Sequence, residues 1–166
     1  MLTPSTQFKT HKTVGFTLIE LLVTLVILSL IATSAAPVMQ LSAKRSKEQE
    51  LKRALWQIRD AIDAYKQAVD DGLILQSIDR SGYPKNLEIL AEGVVNLKDP
   101  KKRKIYFLRQ IPRDPFAKQD GLPASETWHL RSYSSSFDQL QEGDDVYDVH
   151  SFSNEIGLDK RPYNEW

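Results

Sequence analysis

The sequence predicts an α+β fold: one long N-terminal helix, then a smaller region of turns, a short helix and strands. Three observations lead there. Residues 16–39 are a long apolar run with one charged residue, Glu20. No glycine interrupts residues 16–71, and Pro37 is the only proline among them. Beyond Gly72 the apolar spacing changes from steps of three and four to strand-like alternation.

The helix has two halves of different character. Residues 16–39 are long enough to cross a bilayer as a helix. In residues 40–71, Leu51, Leu55, Ile58, Ile62, Tyr65 and Val69 recur in steps of four and three, the seam of an amphipathic helix. Lys52, Arg53, Arg59, Asp60, Asp63 and Lys66 fall on the other faces and read as solvated. One helix over residues 16–71, ended by Gly72, accounts for both halves. A break near Pro37 or Ser42 would instead give a span and a separate helix. Interior proline removes a backbone bond, so a bend at Pro37 is expected in either case.

Residues 72–166 form the globular region. Ser81, Gly82, Tyr83 and Pro84 are turn chemistry. Asn86 suits the cap of a short helix through Leu87, Ile89 and Leu90 to Gly93. Residues 98–104 are a compact basic loop without interleaved aromatics, the pattern of a solvated loop more than a single-strand nucleic-acid platform. Residues 128–133 and 146–152 alternate as strands, with an acidic loop between them.

Composition narrows the function. The chain balances 22 basic against 22 acidic residues, but unevenly. Residues 44–118 carry 17 bases and 11 acids, and residues 138–166 carry 8 acids and 2 bases. That asymmetry suits a subunit that stacks on copies of itself better than a nucleic-acid binder. With no cysteine, disulfides and thiolate metal sites are excluded. His11, His129 and His150 fit no zinc spacing, and no phosphate-binding glycine loop or nucleophile elbow appears. The residues predict no enzyme.

Three readings of the N-terminal segment compete. A secretory signal would end at a small-residue site, which residues 32–36 offer, and would release a soluble or anchored binding domain. A plain anchor explains the length but not Glu20, whose burial in hydrocarbon costs on the order of a few kcal/mol near the centre and less towards the edge. The third rests on a resemblance. Gly15-Phe16-Thr17-Leu18-Ile19-Glu20-Leu21-Leu22-Val23, preceded by Lys9 and Lys12, resembles the prepilin signal of type IV pilin-like proteins. Residues 1–15 are then the leader. The resemblance implies cleavage between Gly15 and Phe16 by prepilin peptidase, N-methylation of Phe16, and retention of the apolar segment. It further implies that Glu20 pairs with the amino terminus of a neighbour during polymerisation. Orientation by loop charge is undecided, because Lys44, Arg45 and Lys47 follow the span.

A second resemblance places the chain among these families. Tyr83-Pro84, then Ile111-Pro112-Arg113-Asp114-Pro115-Phe116, match in order a pattern of major pseudopilins of type II secretion systems, with Ala117 where a glycine usually stands. Tyr147, Asp148, Val149 and Ser151 resemble that family's last strand. The resemblance implies a pilin-like fold, with a small antiparallel sheet packed on the helix. It implies a homopolymer formed through the N-terminal helices, anchored by a single pass in the inner membrane before assembly, with its globular part in the periplasm of a Gram-negative bacterium. Its implied partners are minor pseudopilins and an inner-membrane assembly platform. Type IV or competence pilin and minor pseudopilin are the alternatives within the class. Major pseudopilins also hold a calcium ion, for which Asp138, Asp144, Asp145, Asp148, Ser151 and Asp159 supply oxygen atoms, with Ser153 and Asn154 nearby. The usual glycine-aspartate-glycine turn is replaced by residues 153–159, and a solvated acidic loop is the alternative.

Overall fold

A computed structural model describes residues 15–75, 81–119, 121–136 and 141–166. It divides into two compact units, Met1–Ser42 and Ala43–Trp166. The element order is α1 (Leu18–Asp70), α2 (Glu88–Glu92), β1 (Val94–Val95), β2 (Lys104–Ile105), β3 (Trp128–Arg131) and β4 (Asp148–Ser151). Two 3-10 turns, Ala124–Thr127 and Tyr163–Glu165, complete it.

Helix α1 starts two residues later than expected because Thr17 caps it. The Thr17 hydroxyl accepts the Glu20 N–H at 3.3 Å, satisfying one of the donors that a helix start leaves free. The other end closes as the sequence indicates. Gly72 is left-handed, at φ 66°, and its N–H reaches the Val69 carbonyl while that of Leu73 reaches Ala68, each at 2.9 Å. This paired closure is the Schellman arrangement, which favours glycine at that position. Helix α1 continues through Pro37 and Ser42 as one helix, so the alternative of a break into two helices is not what forms.

In the first unit nothing covers the helix. Every large apolar side chain described from Phe16 to Leu41 is at least 41 % exposed. Among the described residues of the run, the hydroxyls of Thr24, Ser29 and Thr33 donate to the carbonyls of Leu21, Leu25 and Leu30. Such internal pairing is what a hydrocarbon environment demands of a helix. By length and composition the segment is long and apolar enough to cross a membrane.

In the second unit the seam is buried. Leu51, Leu55, Ile58, Ile62, Tyr65 and Val69 pack against Leu87, Leu90, Leu108, Trp128, Val146, Val149 and Tyr163. Strands β3 and β4 pair antiparallel, with Trp128 opposite Ser151 and Leu130 opposite Val149. Strands β1 and β2 form a second pair, so the expected single small sheet is two two-stranded sheets. The basic loop 98–104 is mostly the tip of the β1–β2 hairpin. Its strands, two residues each, are too short for alternation to show. Leu97 N–H donates to the Leu73 carbonyl, and the Lys98 ammonium to that of Asp71, tying the hairpin to the end of α1. Asn86 caps as expected, accepting the Ile89 N–H at 3.2 Å. Gly93 has φ 75°, and an added Cβ would lie 2.7 Å from the Tyr106 ring.

Ile58 is fully buried in the middle of the seam. Ile58→Ala is expected to lower unfolding free energy by about 2–5 kcal/mol, measured by denaturant unfolding of the detergent-solubilised chain. A change below about 0.5 kcal/mol would mean that the seam is not the core.

Candidate functional site

The N-terminal end of α1 carries the residues that the sequence singles out for processing and assembly. Phe16 is 82 % exposed, and Gly15 and Phe16 precede the first helical turn. Glu20 sits in that first turn, where the positive end of the helix dipole favours a carboxylate. Its carboxylate has no hydrogen bond or ion pair among the described residues. The only other acceptor chemistry in the turn, the Thr17 hydroxyl, is occupied by the backbone. An exposed apolar helix thus presents one free carboxylate a turn from its start.

The two segments matched after Gly72 are structural fasteners. Asp114 is 2 % exposed and binds three ways: its Oδ2 accepts the Ser151 hydroxyl at 2.6 Å, its Oδ1 accepts the Phe116 N–H at 2.8 Å, and its own N–H donates to Thr127. The Trp128 indole N–H adds a bond to the Pro112 carbonyl at 2.8 Å. Residues 112–116 are thereby pinned to both β3 and β4. Pro84 is buried, and its carbonyl accepts the Val146 N–H at 2.8 Å just before β4. Burial raises the Asp114 carboxyl above its usual range, although Ser151 and the backbone donors pull it down.

The C-terminal residues are held by side chains that the sequence reading missed. Arg59, expected on a solvated face, is half-buried and forks three ways. Its Nε donates to Asp148 at 2.7 Å, and its Nη2 donates to the Val149 carbonyl at 3.1 Å and the Trp166 carbonyl at 2.8 Å. Glu48 is 8 % exposed and accepts the Leu158 N–H and the Tyr163 hydroxyl. Burial, and then Glu48, push the Tyr163 phenol well above its usual range. A signal for Glu48 was present: counting three back from Leu51 continues the seam, so an acid stands at a core position. Arg59 follows Ile58 and lies at the seam's edge, where a long side chain reaches round to an acceptor.

The residues proposed for calcium do not come together. Asp148 is engaged by Arg59, with His150 Nε2 at 3.4 Å and Arg131 at 3.9 Å. Asp145 accepts from the Ser81 and Ser132 hydroxyls and the Tyr133 N–H. Ser151 is committed to Asp114, Asp159 to Arg161, and Asp144 is exposed. Asp138 lies outside the described residues. Among the described residues no three carboxylates or histidines converge as metal ligands would. A cage needs six to eight free oxygens, and the carboxylates placed near β4 are already neutralised by guanidinium groups or spent on hydroxyls.

Burial raises the Asp148 carboxyl, and His150 and Arg59 more than offset it, holding it down to about 2. A depressed carboxyl stabilises the fold above its unfolded value of about 3.9 and loses that contribution as pH falls through its folded value. The expected loss between pH 4 and pH 2 is on the order of 1–2 kcal/mol from this group. Asp114 has the opposite sign, since a raised carboxyl favours the fold as it protonates. Arg59→Ala should cost about 2–4 kcal/mol near neutral pH and flatten the acid limb of stability against pH. An acid limb unchanged in Arg59→Ala would show that the pair does not set it. Asp114→Ala should destabilise by about 1–3 kcal/mol by leaving buried donors unpaired, measured by the same unfolding curves.

Comparison with known proteins gives two matches. Residues 15–36 match the family described as the prokaryotic N-terminal methylation motif. Over 111 residues, 65 % of this chain and 68 % of the relative, it is 27 % identical to type II secretion system core protein G of Vibrio cholerae serotype O1. No solved structure gives a significant match.

Proposed function

We propose that this chain, a pilin-like protein carrying the N-terminal methylation motif and a distant homologue of the type II secretion core protein G, is the major subunit of a type II secretion pseudopilus. Pilin-like proteins are structural, not catalytic, and the motif implies peptidase processing and pilus assembly. The observation that carries the finer reading is the pair of fasteners at Pro84 and Asp114. The residues that resemble the major pseudopilin pattern are those that lock the globular unit onto β4.

The mechanism follows from what the chain leaves unsatisfied. Cleavage after Gly15 frees an amino group on Phe16, next to a helix whose first turn holds the Glu20 carboxylate. In the inner membrane the apolar helix is covered by lipid. On polymerisation, neighbouring helices replace lipid, and Glu20 of one subunit accepts from the methylated amine of another. The pair neutralises two charges that are each costly alone in a low dielectric, and so sets register more than net stability. The globular unit faces the periplasm. Minor pseudopilins and the assembly platform of the inner membrane order the polymer, whose growth moves folded proteins towards the outer membrane.

Intact mass of the membrane form tests processing. With prepilin peptidase present, the chain should lose residues 1–15 and gain one methyl group; without it, the full mass should remain. Loss of residues up to about Ala36 would instead select an ordinary secretory signal. Deleting the chain from its host should abolish export through the type II system while leaving surface pili intact. The reverse outcome selects a type IV pilin.

A further inference from the structure

A basic cleft lies wholly within the Ala43–Trp166 unit, between the start of its helix and the loop after Asp114. Lys44 and Lys47 form one wall, Pro115, Phe116 and Lys118 another, and Glu155 closes the side, around about 470 Å³. Small-ligand pockets run from about 300 to 1,000 Å³. Lys44 and Lys47, three residues apart on a helix, project from one face. The opposite wall is held firmly. The Phe116 ring stacks on Tyr163 with centroids 4.1 Å apart, and its N–H donates to Asp114 Oδ1 at 2.8 Å.

The cleft sets three ammonium groups against one carboxylate. Lys118 and Glu155 come no closer than 3.8 Å and both are exposed, so their pairing is weak. Lys44 gives one hydrogen bond, to the Ile156 carbonyl at 2.6 Å, and an ammonium has three donors. Lys47 makes no hydrogen bond or ion pair among the described residues; its ammonium lies 5.9 Å from the centre of the Phe116 ring. An anion is the ligand this excess of positive charge suits.

The place of the two helix lysines says which anion. They follow Leu41, the last large side chain of the apolar run, by three and six residues on the same helix. At the rise of an α-helix that is about 4.5 and 9 Å along the axis. The polar layer on each side of a bilayer is about 5–7 Å deep. With the apolar run in hydrocarbon, flexible lysine stems bring both ammonium groups within reach of lipid phosphates. A free inorganic anion would leave the Pro115 and Phe116 wall uncovered, whereas the glycerol of a lipid can lie against it.

We propose that this cleft binds the head group of one anionic phospholipid of the membrane that α1 enters. Its phosphodiester sits between Lys44 and Lys47, its glycerol rests on Pro115 and Phe116, and Lys118 adds attraction that Glu155 tempers. The bound lipid ties the unassembled subunit to the bilayer surface at a fixed depth. The proposal rests on the reading of α1 as a membrane helix and is independent of what the subunit later assembles into.

Native mass spectrometry of the full chain in a neutral detergent reads the site, because no charged surface is then present. One phosphatidylglycerol should bind about tenfold or more tightly than phosphatidylcholine. The double variant Lys47→Gln, Lys118→Gln should lose most of that preference. Its melting temperature should hold, since neither side chain hydrogen-bonds to the fold among the described residues. Arg45→Gln, an exposed charge outside the cleft, should keep the preference within about twofold. Equal affinity for the two lipids, or a preference that survives loss of both lysines, overturns the proposal. Inorganic phosphate binding as tightly as the lipid overturns it too, in favour of a simple anion site. Shielding of Lys47 from an acylating reagent by an added acidic protein segment, but not by phosphatidylglycerol, would select a protein occupant instead. Alkaline extraction of membranes checks the premise separately. A chain released by carbonate removes the membrane reading and the lipid site together; a chain retained without lipid preference removes the site alone.

Discussion

A helix that is apolar on every side cannot stand in water, and that constraint organises the whole chain. From Phe16 to Leu41 the described large apolar side chains are exposed. Burial of apolar surface is the main driving force open to a segment of this composition, and a hydrocarbon environment satisfies it. The rest of the sequence respects the same need. Its globular unit uses the later part of α1 as its core face.

Polar groups near and within the apolar segment are rationed accordingly. Hydroxyls at Thr24, Ser29 and Thr33 are paired with backbone carbonyls one turn back, and Thr17 closes the helix start. Glu20 alone is left with its carboxylate free among the described residues. An unpaired carboxylate is the costliest group such a segment can carry in a low dielectric. In the globular unit the opposite holds. Glu48, Arg59, Asp114 and Asp148 are each enclosed by specific donors and acceptors, and together they bind the last turns of the chain to α1 and β4.

Much of this was legible in the sequence, and the failures have physical causes. The end of α1 follows from Gly72 and the seam from its spacing, whereas the Thr17 cap went unread and the start was placed two residues early. Strands β3 and β4 follow from alternation, and the motif from Gly15 to Glu20. The β1–β2 hairpin was hidden because two-residue strands carry no period and lysines dominate its turn. Arg59 was misplaced because a helical wheel assigns a charge to solvent, whereas a guanidinium on a flexible stem lies along apolar surface and reaches buried carbonyls.

The central claim is that Glu20 is carried in an apolar helix because a neighbour's amino terminus neutralises it during polymerisation. Its most direct measurement is filament yield and protein export in cells producing Glu20→Ala, alongside correct removal of residues 1–15. The account requires normal processing with assembly and export both lost. Filaments and export at the level of the unaltered chain would contradict it.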